Sequence, residues 1–175
     1  MGPGGRLGES MLSTRERILA LLEREPGVYL RELSRRLDVS LATVRYHLAE
    51  MERDRRVVAQ RAGAFLRLFP SEGLSRDDYP LVSAIRVRGQ RKVLAALLRL
   101  RSAQYSQLQA AAGLASASLS KCLRHLLDVG FVVQDEKRRY RLADADMVRT
   151  QLAVFRSRFP DLLADAAREI FDEIA

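Results

Sequence analysis

The chain has 175 residues, of which 47% are hydrophobic, an apolar content too high for a disordered protein. Its 30 Lys and Arg against 22 Asp and Glu give a net charge of +8 and a pI of about 10.3, which favours a polyanionic partner. With one cysteine, Cys122, and two histidines, the sequence excludes an internal disulfide and a four-ligand zinc site, and no apolar run approaches the ~20 residues that span a bilayer.

The N-terminal part of the chain predicts a leader followed by a first domain at 13–70. Residues 1–12 are rich in glycine and contain no apolar core, so we expect a disordered leader and not a signal peptide, in a cytoplasmic protein. A first helix is predicted to begin at a cap near Ser13 and to end at Pro26. The apolar spacing predicts a second helix over 30–37.

A third helix follows a short turn that ends at Ser40, a residue type that favours the helix N-cap. Its apolar residues recur at i, i+4 and i+7 and predict one buried face, made of Val44, Leu48 and Met51. Beyond this helix the pattern predicts strands at 57–59 and 65–69, and Pro70 ends the second strand. Three helices followed by a strand hairpin form the order of a winged helix-turn-helix domain.

Residues 71–79 are polar and are expected to be a linker. Residues 80–142 are predicted to form a second winged helix-turn-helix domain, in which 91–142 repeat the pattern of 16–69. Apolar positions of the two stretches align at a constant offset of 75: Leu33 with Leu108, Leu48 with Leu123, Met51 with Leu126, Val57 with Val132 and Val58 with Val133. This spacing predicts an internal duplication. The expected fold is therefore mainly α with small β-hairpin wings, in tandem winged helix-turn-helix domains followed by C-terminal helices.

Charge is distributed unevenly along the chain. Residues 80–142 contain 12 basic and 3 acidic side chains, whereas 143–175 contain 4 basic and 7 acidic ones. The acidic C-terminal helices carry an apolar face and have little of the chain left to pack against, so they are expected to pair two chains into a homodimer. The predicted dimer contacts are Phe155, Leu162, Leu163, Ile170, Phe171 and Ile174.

The third helix of a helix-turn-helix domain enters the major groove of DNA, and basic wing residues can clamp phosphate or enter the minor groove. The predicted DNA contacts are Ser40, Ala42, Thr43, Arg45, Tyr46, Arg61, Arg67, Ser118, Lys121, Arg124, Lys137 and Arg138. Arg45 is expected to recognise guanine through two hydrogen bonds, whereas the residues of the second copy suit phosphate. Two alternatives remain open: a plain solvated helix face in the first copy, and a third helix buried in an interface in the second.

Three stretches carry a family resemblance: Leu-Asp-Val-Ser at 37–40, Thr-Val-Arg-Tyr-His-Leu at 43–48, and 84–94 before the second copy. With the closing segment at 155–163, they resemble archaeal predicted transcriptional regulators that carry two winged helix-turn-helix domains, in the MarR and ArsR-like superfamily. The resemblance implies DNA binding and a homodimer formed through helices outside the recognition helices. The cysteine and histidine ligands of an ArsR-type metal site are absent.

The leading hypothesis is a sequence-specific transcription regulator that binds double-stranded DNA. A chromatin protein that coats DNA without sequence preference and a winged-helix scaffold for protein interactions are the alternatives. We expect no enzyme, because the sequence lacks paired carboxylates in a pocket-like context, a nucleophile with its base and a Gly-rich phosphate loop. No cofactor, metal or small-molecule effector is evident. Cys122 is interpreted as a small core side chain, with a redox role as its alternative.

Overall fold

The computed structural model describes residues 12–62 and 65–164, apart from the side chain of Leu163. The chain divides after Tyr79 into two compact units, called here the first unit and the second unit. The described residues are mainly helical with small antiparallel sheets, which confirms the predicted mainly α class with small β-hairpins. The expected leader lies outside the described residues, except for Leu12.

The first unit contains three helices and a three-stranded sheet, followed by a 3₁₀ turn. Its elements are α1 (Thr14–Arg24), β1 (Val28–Tyr29), α2 (Leu30–Leu37), α3 (Leu41–Arg53), β2 (Val57–Ala62), β3 (Phe65–Pro70) and the 3₁₀ helix Arg76–Asp78. A capping box begins α1: the Ser13 hydroxyl accepts from the Glu16 N–H at 3.3 Å, and the Glu16 carboxylate accepts from the Ser13 N–H at 2.7 Å. This arrangement satisfies backbone donors that have no partner within the helix.

The core of the first unit is formed by apolar side chains from all three helices and from the sheet. It consists of Ile18, Leu22, Val28, Leu33, Leu37, Val44, Leu48, Met51, Val57 and Leu68. Each fully buried Leu, Ile, Val or Met contributes roughly 1.5–3 kcal/mol relative to an exposed side chain. The predicted stripe of α3 is therefore buried as expected.

The sheet has the order β1-β3-β2, with both pairs antiparallel. Strand β1, which the sequence analysis did not predict, pairs Tyr29 with Arg67 on β3. On the other side of β3, the last described pair of the hairpin joins Ala62 to Phe65. The central strand is thus covered by a neighbour on each edge.

The segment expected to be a plain linker packs partly on the first unit. Leu74 and Tyr79 are buried, and the Tyr79 ring stacks on Phe69 with centroids 4.1 Å apart and planes at 14°. Stacking of this kind contributes about 0.5–1.5 kcal/mol beyond burial. The polar composition of the segment did not indicate that these two residues would be buried.

The described part of the second unit, up to residue 164, is built from helices and one short hairpin. Its elements are α4 (Tyr79–Arg86), which begins at the unit boundary, α5 (Arg88–Leu100), α6 (Tyr105–Ala112), α7 (Ser116–Asp128), β4 (Val132–Gln134), β5 (Tyr140–Leu142), α8 (Ala145–Arg158) and α9 (Pro160–Ala164). Gly89 lies in the first turn of α5. The break between the two helices falls one residue after α4, at Val87, which is the N-cap of α5.

Backbone geometry recurs at the offset found in the sequence. Helices α6 and α7 begin at the positions that this offset assigns to the first residues of α2 and α3. The left-handed residue between α2 and α3 is Asp38 (φ 51°), and its counterpart is Gly113 (φ 59°). The left-handed residue after α3 is Arg55 (φ 56°), and its counterpart is Gly130 (φ 79°). From β5 onwards the offset is 72, because the second hairpin is shorter.

Two of the dimer contacts predicted on the C-terminal helices are corrected by the structure. Phe155 on α8 is 2% exposed and Leu162 on α9 is 5% exposed in the isolated chain, so neither is available to a second copy. Their apolar face is used within the chain, contrary to our expectation that little remained for it to pack against. The side chain of Leu163, and Ile170, Phe171 and Ile174, lie outside the described residues.

The close approach of α5 to α7 leaves little room for a side chain at Gly89, which can be tested. A Cβ added there would lie 2.7 Å from the Sγ of Cys122. We expect Gly89→Ala to cost about 1–3 kcal/mol of unfolding free energy through overpacking. In a Cys122→Ala background the clash is gone, and Gly89→Ala should become neutral or stabilising by up to about 1 kcal/mol because alanine favours helix. Urea unfolding of the four variants measures this coupling.

Gly113→Ala provides the matched control. A Cβ there meets nothing within 4 Å, but the residue has a φ of 59°. Its cost of about 1 kcal/mol comes from the left-handed backbone and should be the same with or without Cys122. Equal costs for Gly89→Ala in both backgrounds would contradict the proposed contact.

Candidate nucleic-acid interface

The orientation of α3 is fixed by the turn that precedes it. Asp38 adopts a left-handed conformation, and the Val39 N–H donates to the Ser34 carbonyl at 3.1 Å. The Ser34 hydroxyl donates back to the Val39 carbonyl at 2.6 Å. Arg17 on α1 donates to the carbonyl of Leu37 at 2.7 Å. These bonds tie the ends of α1, α2 and α3 to one another.

Ser40 is the N-cap of α3, as the sequence predicted. Its hydroxyl accepts from the Thr43 N–H at 3.1 Å and lies 2.8 Å from the Thr43 hydroxyl. Both side chains are exposed. A DNA phosphate that approached this end of the helix would meet two hydroxyls and the positive end of the helix dipole.

The outward face of α3 consists of Ala42, Thr43, Arg45 and Tyr46, which are all exposed. The opposite stripe is buried, with Val44 and Met51 at 0% exposure and Leu48 at 6%. Tyr46 is 61% exposed, an unusual degree for a large aromatic ring. The structure therefore brings together every α3 residue that we predicted, on one accessible face.

Glu50 is a member of this surface that sequence reasoning missed. Hydrogen bonding between the Tyr46 hydroxyl and the Glu50 carboxylate raises the pKa of Tyr46 above its usual value. Glu50 also lies 3.9 Å from the Nδ1 of His47 and 4.0 Å from the guanidinium of Arg53. The i, i+4 spacing of Tyr46 and Glu50 is the signal that could have revealed the pair. The carboxylate adds negative charge one turn beyond Tyr46, and the neighbouring Arg53 offsets part of that charge.

The two arginines of the first unit's wing that we predicted as DNA contacts differ in exposure. Arg61 on β2 is exposed. Arg67 on β3 is only 3% exposed, donates to the Gly27 carbonyl at 2.6 Å, and places its guanidinium 4.1 Å from the centre of the Tyr29 ring. The assignment of Arg67 to DNA is therefore corrected, because its side chain packs on Tyr29 of β1 and is shielded from solvent.

The second unit has an arginine with a similar bond at the corresponding position. Arg139 is the counterpart of Arg67 in the shorter hairpin, and Ser102 is the counterpart of Gly27. The guanidinium of Arg139, which is half-buried, donates to the carbonyl of Ser102 at 3.3 Å. In both units the guanidinium ties the hairpin to the chain just before α2 or α6. The repeated bond indicates a structural role for both arginines.

The equivalent face of α7 has different chemistry. Ser118, Lys121 and Arg124 are exposed at i, i+3 and i+6, as predicted. The position that matches Arg45 is Ser120, and its hydroxyl lies 2.9 Å from the hydroxyl of Tyr105. This face offers cations for phosphate but no long side chain at the Arg45 position.

Tyr105 holds the start of α7. Its hydroxyl lies within 2.9 Å of the Ser116 hydroxyl and donates to the Ser116 carbonyl at 2.9 Å. The serine hydroxyls of Ser116 and Ser120 lower the pKa of Tyr105. Their hydrogen-bonding capacity is thus partly used within the unit.

The wing of the second unit exposes Lys137 and Arg138 at its tip. Asp135 organises the turn, since its carboxylate accepts from the backbone N–H groups of Lys137 and Arg139 at 2.9 and 2.8 Å. Arg138 adopts a left-handed conformation with φ of 58°. Both cations project from a defined turn and are accessible to a polyanion.

Cys122 is 8% exposed, and burial raises the pKa of its thiol, while Lys121 acts in the opposite direction. A thiol with a raised pKa is a weak nucleophile, which suits the core interpretation. Among the described residues, no group of three or more His, Cys, Asp or Glu side chains could hold a metal ion. In the same part of the chain, no helix is long and apolar enough to cross a membrane.

Comparison with known families gives the class of the domain at residues 11–58. Residues 11–58 match the family model described as winged helix-turn-helix DNA-binding. The chain carries a winged helix-turn-helix DNA-binding domain at these residues. The matched segment contains α1, α2 and α3 and ends as β2 begins. It therefore includes the exposed face of α3 and supports binding to double-stranded DNA.

One solved structure, of the DIP2311 protein from Corynebacterium diphtheriae, matches with 19% identity over 74% of this chain and 26% of its own. The chain spans about a quarter of the length of that protein, and the TM-score is 0.26, so the similarity carries no argument about architecture or function. None of the curated proteins compared with the chain matches it significantly.

The contrast between the two wing arginines is testable. Arg67→Ala removes a buried charge-assisted hydrogen bond and a cation–π contact, and should cost about 2–4 kcal/mol of unfolding free energy. Arg61→Ala removes only an exposed side chain, and should change stability by less than about 0.5 kcal/mol. Urea unfolding compares the two variants. A stability loss with Arg61→Ala that equals that of Arg67→Ala would refute this division.

Proposed function

We propose that the protein is a sequence-specific transcription regulator, and that α3 of its first unit binds in the major groove of double-stranded DNA. One observation carries the proposal: within a DNA-binding domain, α3 presents Ala42, Thr43, Arg45 and Tyr46 outwards and buries its opposite face. Arg45 has the length and the planar donors to bond O6 and N7 of guanine, a contact that gives ~1–3 kcal/mol of discrimination. Ser40 and Thr43 suit the adjacent phosphate.

The proposal treats the second unit as a second winged helix-turn-helix domain. Its support is the order of α5, α6, α7, β4 and β5, and the left-handed glycines at the matching positions. With Ser118, Lys121 and Arg124 exposed on α7, this unit would add affinity through phosphate and little base recognition. It would therefore raise the salt dependence of binding.

The proposal also includes a homodimer. Because Phe155 and Leu162 are buried, the interface would have to use other residues. On α8, Met147 and Val154 are 37% and 51% exposed and stand at i and i+7, which places them on one side of the helix. A two-fold dimer would present its two α3 helices to major grooves ~34 Å apart, or a multiple of that distance. The proposal assigns no catalytic step, cofactor or metal to the chain.

Charge gives specific support to one alternative. Residues 80–142 carry a net charge of +9 from 12 basic and 3 acidic side chains, which suits a chromatin-type protein that coats DNA without sequence preference. Such a protein would yield no preferred site. The two proposals therefore differ in what selection from random DNA should return.

Site selection from random duplexes tests the proposal. The wild-type protein should enrich a defined motif, and a two-fold dimer should give an inverted repeat. Arg45→Ala should broaden the base preference at one position and weaken binding to the selected site by about 5- to 150-fold, equivalent to ~1–3 kcal/mol.

Lys121→Ala is the matched control for Arg45→Ala, because it removes an exposed cation from the corresponding helix of the second unit. It should weaken binding to all sequences by the same factor and reduce the salt slope by about 1. Absence of any enriched motif favours the chromatin alternative. An enriched motif that Arg45→Ala leaves unchanged would mean that α3 does not recognise it through Arg45.

A further inference from the structure

The described part of the first unit's wing ends on an aromatic side chain that phosphate binding does not explain. Phe65 lies in the last described pair of the hairpin, opposite Ala62, and is 59% exposed. Arg61, on the adjacent strand, is also exposed. Phe65 lies beyond residues 11–58, which match the DNA-binding model, on the hairpin that follows them.

The Phe65 ring packs against the ring of Tyr29. Its centroid lies 5.4 Å from that of Tyr29, with planes at 57°. The Tyr29 ring is also supported by the buried guanidinium of Arg67, 4.1 Å from its centre, which is itself bonded to the Gly27 carbonyl. Contact with Tyr29 in this column of Phe65, Tyr29 and Arg67 limits the positions open to the exposed ring, so that less side-chain entropy is lost when it binds.

The second unit keeps the cation of this column but not its rings. Lys137 lies two residues before Arg139, as Phe65 lies two residues before Arg67. Gln104 is the counterpart of Tyr29 at the offset between the two copies. The second wing therefore ends on cations that suit phosphate, whereas the first carries a ring. Aromatic rings stack on bases irrespective of sequence, because every base has a π face.

We propose that Phe65 is a wedge that inserts between two neighbouring base pairs of the minor groove next to the α3 site, unstacks them and bends the duplex. Apolar wedges that kink DNA towards the major groove are a known solution to minor-groove binding. Arg61 pairs with Leu66 and so lies on the opposite face of the hairpin from Phe65, where it would hold a phosphate at the edge of the same groove. The cost of opening falls at flexible pyrimidine–purine steps, so the wedge selects such a step without a base-edge hydrogen bond. This inference rests on the proposed binding of duplex DNA by the first unit.

The test uses the full chain and a series of duplexes that carry the selected site. Each duplex has a single 2-aminopurine at a different position, to report unstacking of the bases. Fluorescence transfer between the two ends of the duplex reports bending. Wild-type protein should raise the 2-aminopurine fluorescence several-fold at one step and shorten the end-to-end distance. Phe65→Ala should abolish both signals and weaken binding about tenfold, within the range of base–aromatic stacking. A mismatch at the opened step should tighten binding of the wild type but not of Phe65→Ala.

Lys137→Ala is the matched control at the other wing. It should weaken binding, reduce the dependence of the affinity on salt concentration, and leave the 2-aminopurine signal unchanged. Phe65→Leu keeps an apolar side chain without the ring, and should retain part of the bend but lose most of the stacking. Circular dichroism and urea unfolding confirm that the variants are folded.

The outcomes separate this inference from the proposed function. DNA binding that depends on Arg45 but shows equal fluorescence with and without Phe65 overturns the wedge alone. If Phe65→Ala instead converts a dimer into a monomer in sedimentation and leaves the bend intact, the ring belongs to a protein interface and the wedge is wrong. If the wild type binds no duplex, the proposed function fails and the wedge fails with it.

Discussion

The buried stripe of α3 is the constraint on which the remaining features of the first unit depend. With Val44, Leu48 and Met51 packed in the core, the 3.6-residue period leaves Arg45 and Tyr46 no position except the outward face. The left-handed turn at Asp38 and the cap at Ser40 set where this face begins. The exposed face of α3 is therefore a consequence of how the domain packs its core, and a polar residue in the buried stripe would disturb both.

The two units share backbone geometry and differ in surface chemistry. Where the second unit has Gly113 and Gly130, the first has Asp38 and Arg55 in the same left-handed conformations. A non-glycine residue there costs roughly 1–2 kcal/mol, so the first unit keeps these turns despite strain. On the outward faces, an arginine in one unit corresponds to a serine bonded to Tyr105 in the other. The two outward faces therefore present different side chains on a similar backbone.

Local signals in the sequence predicted much of this arrangement. Apolar periodicity placed the second helix at 30–37, which is the observed span of α2, and Ser13 and Ser40 cap their helices as expected. Long-range pairing produced the errors. Strand β1 has two residues, too few for a periodic signal, yet it buries Arg67. An apolar stripe on α8 looks the same whether it packs within one chain or between two, and only tertiary structure shows that Phe155 is buried.

Amide chemical shifts recorded while a duplex containing the selected site is added to ¹⁵N-labelled protein would locate the DNA contact residue by residue. If α3 binds the duplex, the largest shifts should fall on residues 40–49 of the first unit and on its hairpin, with smaller changes at the start of α7 and at the hairpin of the second unit. Shifts confined to α8, with 40–49 unperturbed at saturating DNA, would mean that α3 does not bind the duplex.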